Sequence, residues 1–263
     1  MASFRHDGVD LHFELCGSGT RVLFFNGSGA TIEGSRILID RIAQRCTVLV
    51  HDQRGLGATG HVVGSAYSMA QYASDGAALL DHVGWGSAAV CGISFGGMVA
   101  LEFAVTWPER VSRLALLCTS AGGAGGSSYP LHEMASLSDT QRTAVMAQLI
   151  DSRFTPEWLA EHDRDRLIMS ARPSSTTRSA TAAAGEAAQL EARRHHDVWD
   201  RLGAINAPTF IGAGRFDQIA PLANSEALAS GIDASVLRVY DGGHAFMFQD
   251  RRALSDLWEF LEV

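Results

Sequence analysis

The sequence predicts an α/β protein with a mostly parallel β-sheet, and three observations support this fold class. Short apolar runs alternate with helical patterns over residues 21–118, as repeated strand–helix–strand units require. The same alternation returns over residues 208–261. The segment between them, residues 122–198, carries helical patterns but no strand pattern, so we expect a helical insertion between two strands of the sheet.

The composition narrows the class of protein. The chain has 263 residues, of which 46% are hydrophobic and 19% charged, and this size suits one α/β domain with an insertion. It has no apolar run of the ~20 residues that a membrane-spanning helix needs, and its first residues lack the apolar core of a signal peptide. The formal net charge of −8 disfavours nucleic acid or an anionic membrane as a partner. We therefore expect a soluble, cytoplasmic protein.

Lysine is absent from the chain, since all 21 basic residues are arginines. This excludes chemistry that needs a Schiff-base lysine, a lysine-bound pyridoxal phosphate or a P-loop lysine. The four cysteines are widely spaced and form no C-x-x-C motif, which indicates buried free thiols rather than a zinc site or disulfides. They are Cys16, Cys46, Cys91 and Cys118. We expect no metal and no cofactor.

The N-terminal part of the chain follows the alternation of strands and helices. Asp7-Gly8 is a turn signal inside an alternating pattern, which predicts a hairpin over residues 2–15. Apolar runs predict buried strands, and amphipathic runs with cap or stop signals predict helices. The predicted strands cover residues 21–25, 46–51, 88–92 and 113–118, and the predicted helices cover residues 33–44, 68–83 and 95–106.

The C-terminal part contains the helical insertion and the return of the sheet. Ser138 with Gln141 forms a capping-box pattern, and Thr155-Pro156 marks a second helix start. A third helix of the insertion is predicted over residues 175–193. The remaining predicted elements are strands at residues 208–213 and 236–240 and helices at residues 220–229 and 250–261.

These patterns divide the chain into a core and a lid. Residues 1–121 and 199–263 form the predicted α/β core, and residues 122–198 form the predicted lid. The insertion follows the end of a strand, on the side of the sheet where the loops gather. A helical segment in that place can close over a site and exclude water.

A G-x-S-x-G motif lies at the centre of the chain, formed by Gly92, Ser94 and Gly96. Small and β-branched residues precede it, and an apolar helical run follows. On such a turn the serine is forced into a strained backbone conformation, and its hydroxyl stands clear of the sheet. The alternative is a glycine-rich turn whose serine only caps the helix. The strand–turn–helix context favours a nucleophile.

Two further polar residues share the position of Ser94. Asp217 and His244 each follow the end of a predicted strand, and ligands of open α/β sheets bind at that edge. A serine needs a base to take its proton and a carboxylate to orient the base. Asp241 is an alternative acid, but its place in the turn beside His244 favours a structural role. The chain order Ser, Asp, His matches the order of α/β-hydrolases.

With these motifs the chain resembles the α/β-hydrolase-fold serine hydrolases along nearly its whole length. The resemblance implies a mostly parallel eight-stranded sheet flanked by helices, with a helical lid inserted after the sixth strand. It also implies Ser94 as nucleophile, Asp217 as acid and His244 as base, with an oxyanion hole formed by the backbone N–H groups of Ser28 and Phe95. The matching segments are residues 26–29, 52–57, 92–97, 108–111, 214–217 with Pro221, and 243–244.

One departure from the family concerns the loop that supplies the oxyanion hole. The family usually has His-Gly where this chain has Asn26-Gly27. The glycines that shape the loop are present, so we expect the backbone donors to be kept. Asn26 either donates an additional hydrogen bond near the oxyanion or only holds the loop. Together with Gly27, Met98 and Trp158, it is a candidate for binding substrate.

The resemblance favours hydrolysis of an ester, thioester or lactone through an acyl-enzyme on Ser94. We expect a small to medium, mainly apolar substrate. The alternatives are a C–C bond hydrolase or a cofactor-free haloperoxidase or perhydrolase that uses the same three residues. A third hypothesis is a non-catalytic receptor of hydrolase fold. The expected partner is a small-molecule substrate, and assembly into a homo-oligomer is left open.

Other histidines have simpler interpretations. His51 ends a buried strand, which is typical of a core or loop histidine whose ring nitrogens are hydrogen-bonded. His195 and His196 are adjacent in a predicted helix end and face different ways. We therefore expect a surface pair there and no metal cluster.

Overall fold

The computed structural model describes residues 2–61, 66–170 and 180–262, and eight strands within them form a single sheet. This confirms the fold class that the sequence predicts. The strands are β1 (Ala2–His6), β2 (Val9–Gly17), β3 (Thr20–Phe25), β4 (Cys46–His51), β5 (Ala88–Ile93), β6 (Val111–Leu117), β7 (Thr209–Gly214) and β8 (Ser235–Tyr240).

The sheet is mixed at one edge and parallel elsewhere. Its strand order is β1-β2-β4-β3-β5-β6-β7-β8. The β1–β2 and β2–β4 pairs are antiparallel, and the other pairs are parallel. The predicted N-terminal hairpin is confirmed, with Asp7 and Gly8 both at positive φ (44° and 78°) in its turn, as a two-residue hairpin loop favours. The carboxyl ends of β5, β6 and β7 consequently lie side by side.

The helices confirm most of the predicted positions within a few residues, and two short ones (α6 and α9) have no counterpart in the prediction. Residues 175–179 of the predicted third insertion helix lie outside the described residues. No helix of the described ranges is long and apolar enough to cross a bilayer. The helices are α1 (Arg36–Ala43), α2 (Met69–His82), α3 (Phe95–Thr106), α4 (Asp139–Ile150), α5 (Pro156–Glu161), α6 (Asp163–Ser170), α7 (Ala180–Arg194), α8 (Leu222–Gly231), α9 (Phe246–Gln249) and α10 (Arg251–Glu262).

Two helices begin with a capping box, of which the sequence analysis predicts the second. The Ser68 hydroxyl accepts from the Gln71 N–H, and the Gln71 side chain accepts from the Ser68 N–H, so α2 begins with a full capping box. Ser138 and Gln141 make the same reciprocal pair at the start of α4. Each cap satisfies backbone donors that the first helical turn leaves without partners.

Helices cover both faces of the sheet. On one face α2, α3 and α8 pack on apolar side chains such as Leu23 and Val90. On the other face α1 and α10 pack on Phe24, Val48 and Phe210. The central strands are therefore buried on both sides, which explains why they appear in the sequence as continuous apolar runs.

The segment between β6 and β7 is helical wherever the structure describes it, apart from turns and one isolated bridge. Its helices α4, α5 and α6 contribute to a small apolar cluster around Leu149, Ile150 and Phe154, which contacts Ile219 of the core. In contrast, α7 packs on the main core through Ala188 and Ala192. The division into a core and a lid domain stays a prediction.

The loop after β4 is held by one buried ion pair. Arg54 and Asp75 are 1% and 0% exposed, and the guanidinium donates two hydrogen bonds of 2.7 Å to the carboxylate. Asp52 holds the same loop by accepting from the N–H groups of Ile32 and Ala58. Removing one member of such a buried pair leaves the other charge without compensation.

We expect Arg54→Met to lower the free energy of unfolding by about 3–5 kcal/mol, because Asp75 would remain buried without its partner. Equilibrium denaturation in urea measures the loss. The control is Arg5→Met, which breaks the exposed Arg5–Asp10 pair and should cost less than about 1 kcal/mol. A similar small loss for both variants would contradict the role assigned to the buried pair.

Candidate active site

The turn between β5 and α3 carries Ser94 in a strained conformation. Its φ is +55° and its ψ is −118°, a region that residues with a side chain rarely adopt. A Cβ on Gly92 would clash with the backbone of Gly96, and one on Gly96 would clash with the carbonyl of Phe25. The two glycines therefore allow the tight packing that fixes Ser94 at the sheet edge.

The backbone of Ser94 is also tied to the neighbouring strand. Its N–H donates to the carbonyl of Leu117 over 2.8 Å. The Thr119 hydroxyl donates to its carbonyl, also over 2.8 Å. Both partners come from the end of β6 and the loop after it, so the strand beside β5 helps to hold the turn in place.

Three of the residues that the sequence singles out form one hydrogen-bonded chain. The Ser94 Oγ lies 2.9 Å from His244 Nε2, and His244 Nδ1 lies 2.7 Å from Asp217 Oδ2. An ionised carboxylate only accepts, so Nδ1 carries the proton and Nε2 accepts from the serine hydroxyl. Along the sequence, Ser94 and Asp217 lie 150 and 27 residues before His244, respectively. The sheet topology brings them together at the carboxyl ends of β5, β7 and β8.

The Asp217 carboxylate is held in place by backbone hydrogen bonds as well as by the imidazole. It is 1% exposed, and its Oδ1 accepts from the N–H groups of Ile219 and Ala220 over 2.8 and 2.9 Å. Its other oxygen remains directed at His244. Asp241, the alternative acid, has a 71% exposed side chain that pairs with Arg153, and it does not contact His244 among the described residues.

The electrostatics of His244 are set by two opposing influences. Burial lowers the pKa of the imidazole, because the charged form loses its hydration. The Asp217 carboxylate, followed by the nearby Cys118 thiol, has the opposite effect and raises the pKa of His244 above its ordinary value of 6.5. Together these two influences outweigh burial, so the ring is a stronger base than a free imidazole.

Cys118 is a neighbour of the site that the sequence reasoning missed. The ligand atoms of Cys118, Asp217 and His244 all lie within 4.8 Å of one another. Its position at the end of β6, between the ends of β5 and β7, was a usable signal. In the part of the chain that the structure describes, this is the one group of His, Cys and acidic side chains close enough to hold a metal ion. The absence of a metal stays a prediction.

The loop after β3 lies against the serine turn. A Cβ built on Gly27 would come 3.8 Å from the Cβ of Ser94. Phe95 is the first residue of α3, so its N–H has no partner within the helix. The N–H groups of Ser28 and Phe95 therefore belong to two segments that meet at Ser94. The Asn26 side-chain nitrogen is buried and has no hydrogen-bond partner among the described residues.

A glutamine of α7 is bonded to this same loop. Gln189 is fully buried, and its Oε1 accepts from the Gly29 N–H over 2.8 Å. Its Nε2 donates to Gln53 Oε1 over 2.9 Å, and the Gln53 amide donates to the carbonyl of Asn26 over 2.8 Å. A chain of neutral amides thus connects the helix of the insertion to both ends of the glycine loop.

Close backbone packing supports that connection. A Cβ on Gly185 of α7 would clash with the carbonyl of Gly55, and a Cβ on Gly55 would lie 2.7 Å from the Cα of Gly185. Because neither residue has a side chain, the helix approaches the loop after β4 directly. Gln189 lies one turn further along the same helix.

A family model described as alpha/beta hydrolase fold matches residues 20–250. The chain belongs to the α/β-hydrolase family. This confirms the resemblance on which the sequence analysis drew.

Curated relatives of this α/β-hydrolase cover nearly its whole length. A protein of Azorhizobium caulinodans named as a carbamate hydrolase, RutD, is 29% identical over 92% of this chain and 91% of its own. 3-Oxoadipate enol-lactonase 2 of Acinetobacter baylyi is 29% identical over 90% and 86%. The enol-lactonase structure from Burkholderia xenovorans LB400 superposes with a TM-score of 0.78 at 18% identity, covering 98% and 97% of the two chains.

Of the other residues predicted to bind substrate in this α/β-hydrolase, Met98 and Trp158 lie in different surroundings. Met98, one turn after Ser94, lines a cavity beside α7. The Trp158 indole stacks on His162 at 3.8 Å and donates to Asp165, and it does not belong to the wall of that cavity as the described residues form it. Its predicted contact with substrate stays a prediction.

His51 and His196 differ from what the sequence predicts for them. Both ring nitrogens of His51 are buried without a hydrogen-bond partner in the described ranges, and burial lowers its pKa to about 4. His195 is exposed and bonded to Glu191, as expected of a surface residue. His196 is buried instead, with Nε2 bonded to the carbonyl of Ser120, so the expected surface pair was wrong for this residue.

We expect Asp217→Asn to lower the pKa of His244. The carboxylate is the larger of the two influences that raise this pKa, and removing it shifts the balance towards burial, which favours the neutral ring. Titration of the imidazole resonances by NMR measures the shift. The signal of exposed His195 should not move and serves as the control. A pKa of His244 that stays where it was, or rises, would show that Asp217 does not set its charge.

Proposed function

We propose that this protein is a serine hydrolase that cleaves an ester, thioester or lactone through an acyl-enzyme on Ser94. One observation carries the proposal: the imidazole of His244 bridges the hydroxyl of Ser94 and the carboxylate of Asp217 within hydrogen-bonding distance on both sides. A serine hydroxyl is a poor nucleophile until a positioned base removes its proton. This arrangement supplies the base and its orientation.

The reaction begins with attack of Ser94 Oγ on the substrate carbonyl. The hydroxyl proton moves to Nε2 of His244, and the resulting imidazolium is stabilised by Asp217 through the Nδ1–H. The same proton then passes to the leaving group as the carbon–oxygen or carbon–sulfur bond breaks. Water attacks the acyl-enzyme with His244 as base, which releases the acid and restores the serine.

The negative charge on the substrate oxygen needs fixed donors. We assign this role to the N–H groups of Ser28 and Phe95, at the meeting of the glycine loop and the start of α3. Each donor of this kind contributes about 3–4 kcal/mol to the tetrahedral intermediate. The positive end of the α3 dipole points at the same place and adds to the stabilisation.

The relatives support a carbonyl substrate. Two of them are named as an enol-lactonase and a carbamate hydrolase, and lactones and carbamates both carry an electrophilic carbonyl. We also propose that the segment of residues 122–198 acts as a lid, because Gln189 of α7 is bonded directly to the loop that presents Ser28. In this position Gln189 fixes the loop that carries the Ser28 donor.

Ser94→Ala should reduce kcat for a short-chain para-nitrophenyl ester on the order of 10⁶-fold, because the nucleophile is lost. Release of para-nitrophenol measures the rate, and a fluorophosphonate probe should label the wild-type protein alone. Ser255→Ala, which removes an exposed hydroxyl of α10, is the matched control. Retained hydrolysis in Ser94→Ala would exclude the proposed mechanism.

Gln189→Ala should lower kcat roughly tenfold to a hundredfold with a smaller change in KM, because Gly29 and Gln53 lose the partner that positions the oxyanion loop. Steady-state kinetics measure both constants. The control is Gln148→Ala, since the Gln148 amide bonds only to the Phe154 carbonyl within the insertion. Equal effects of the two variants on kcat would mean that Gln189 merely stabilises the fold.

A further inference from the structure

A cavity of about 390 Å³ lies between α7 and the loop that follows β6. This volume falls within the range of small-molecule sites. Its wall includes the hydroxyl-bearing residues Ser120, Ser127 and Ser128, together with Arg193 of α7. The cavity is therefore polar, whereas the sequence predicts a mainly apolar substrate.

The cavity adjoins the proposed nucleophile without including it. Met98 belongs to the wall, and its N–H bonds to the carbonyl of Ser94 one helical turn away. Ser120 belongs to the wall as well, and it follows Thr119, whose hydroxyl donates to the same carbonyl. A substrate whose reacting carbonyl lies at Ser94 can thus extend its far end into this space.

Arg193 brings a positive charge to the cavity with no acidic partner. Its guanidinium donates to the carbonyl of Tyr129 over 2.6 Å, and no carboxylate of the described residues forms an ion pair with it. The segments 62–65 and 171–179, which the structure does not describe, contain no Asp or Glu in the sequence. Arg194, its neighbour, is paired with Glu191.

Burial makes this charge costly. It is the one cause that lowers the pKa of Arg193 to about 10, whereas Arg153 and Arg201 have their pKa values raised by bonded carboxylates. The side chain is half-buried, and a cation partly withdrawn from water without a counter-charge lowers stability until an anion binds. A carboxylate is the group that a guanidinium fork binds best, with two parallel hydrogen bonds.

We propose that this cavity binds a carboxylate at the far end of the substrate, and that Arg193 is the residue that holds it. The inference rests on the proposed function and specifies its substrate class: an ester, thioester or lactone that carries a negatively charged arm. The serine hydroxyls beside Arg193 supply further donors to the same group. The apolar portion of the substrate then lies between Met98 and Ser94.

Two para-nitrophenyl esters of equal chain length test the inference, the monoester of adipic acid and the hexanoate. The wild-type protein should show the higher kcat/KM for the adipate monoester. Arg193→Met should reduce the ratio of the two kcat/KM values roughly tenfold to a hundredfold, and Arg193→Lys should restore part of it. Arg166→Met, which removes an exposed arginine paired with Asp163, should leave the ratio unchanged.

Binding without turnover separates this inference from the proposed function. Adipate should raise the melting temperature of Ser94→Ala, and the rise should be lost in Ser94→Ala/Arg193→Met. If neither ester is hydrolysed, the proposed function fails, and this binding difference still decides whether the anion site exists. Equal ratios in wild type and Arg193→Met would overturn the inference, even if adipate binds. Adipate binding that does not depend on Arg193 would overturn it as well.

Discussion

The site depends on one steric constraint, the close backbone approach at Gly92 and Gly96. These two residues let the end of β5 turn directly into α3 against the carbonyl of Phe25. The turn holds Ser94 at positive φ, where its hydroxyl clears the sheet edge and meets His244. The same approach brings the glycine loop after β3 beside the start of α3. Close backbone packing thus sets the positions of Ser94 and of the two proposed oxyanion donors, and side-chain hydrogen bonds such as that of Gln189 to Gly29 add to it.

The sheet supplies the rest of the arrangement. Parallel strands end at a common edge, so Ser94, Cys118, Asp217 and His244 meet although they come from four different strand ends. The central strands β5, β6 and β7 are buried on both faces over most of their length, which makes this edge rigid. This rigidity matters because the hydrogen bonds from Ser94 to His244 and on to Asp217 require fixed separations. The helical segment between β6 and β7 then lies over that edge through α7.

Much of this could be predicted from sequence, because the relevant signals are local. The capping boxes at Ser68 and Ser138 involve residues three positions apart, and the glycines around Ser94 lie within one turn. Strand ends follow from the apolar runs before them. Even the meeting of Ser94, Asp217 and His244 could be inferred, since strand order in an α/β sheet places their loops at one edge.

Other features have no local signal. Gln189 belongs to no motif, and its hydrogen-bond partners Gly29 and Gln53 lie 160 and 136 residues before it in the sequence. The polar cavity was missed because the composition of the insertion says nothing about which arginine lacks a carboxylate; Arg193 and Arg194 look alike until their neighbours are known. His196 was misjudged for the same reason, since the burial of a helix end depends on the loop after β6 that packs on it.

At Gly55 and Gly185 the backbone of α7 and the backbone of the loop after β4 are in direct contact, with no side chain between them. A methyl group at either position would hold the two backbones apart by about the width of a carbon atom. Because α7 is rigid, this displacement would also move Gln189, one turn further along, away from the Gly29 N–H that it accepts from. Gly55 and Gly185 lie away from Ser94 and have no reactive side chain, yet they determine how firmly α7 holds the loop after β3.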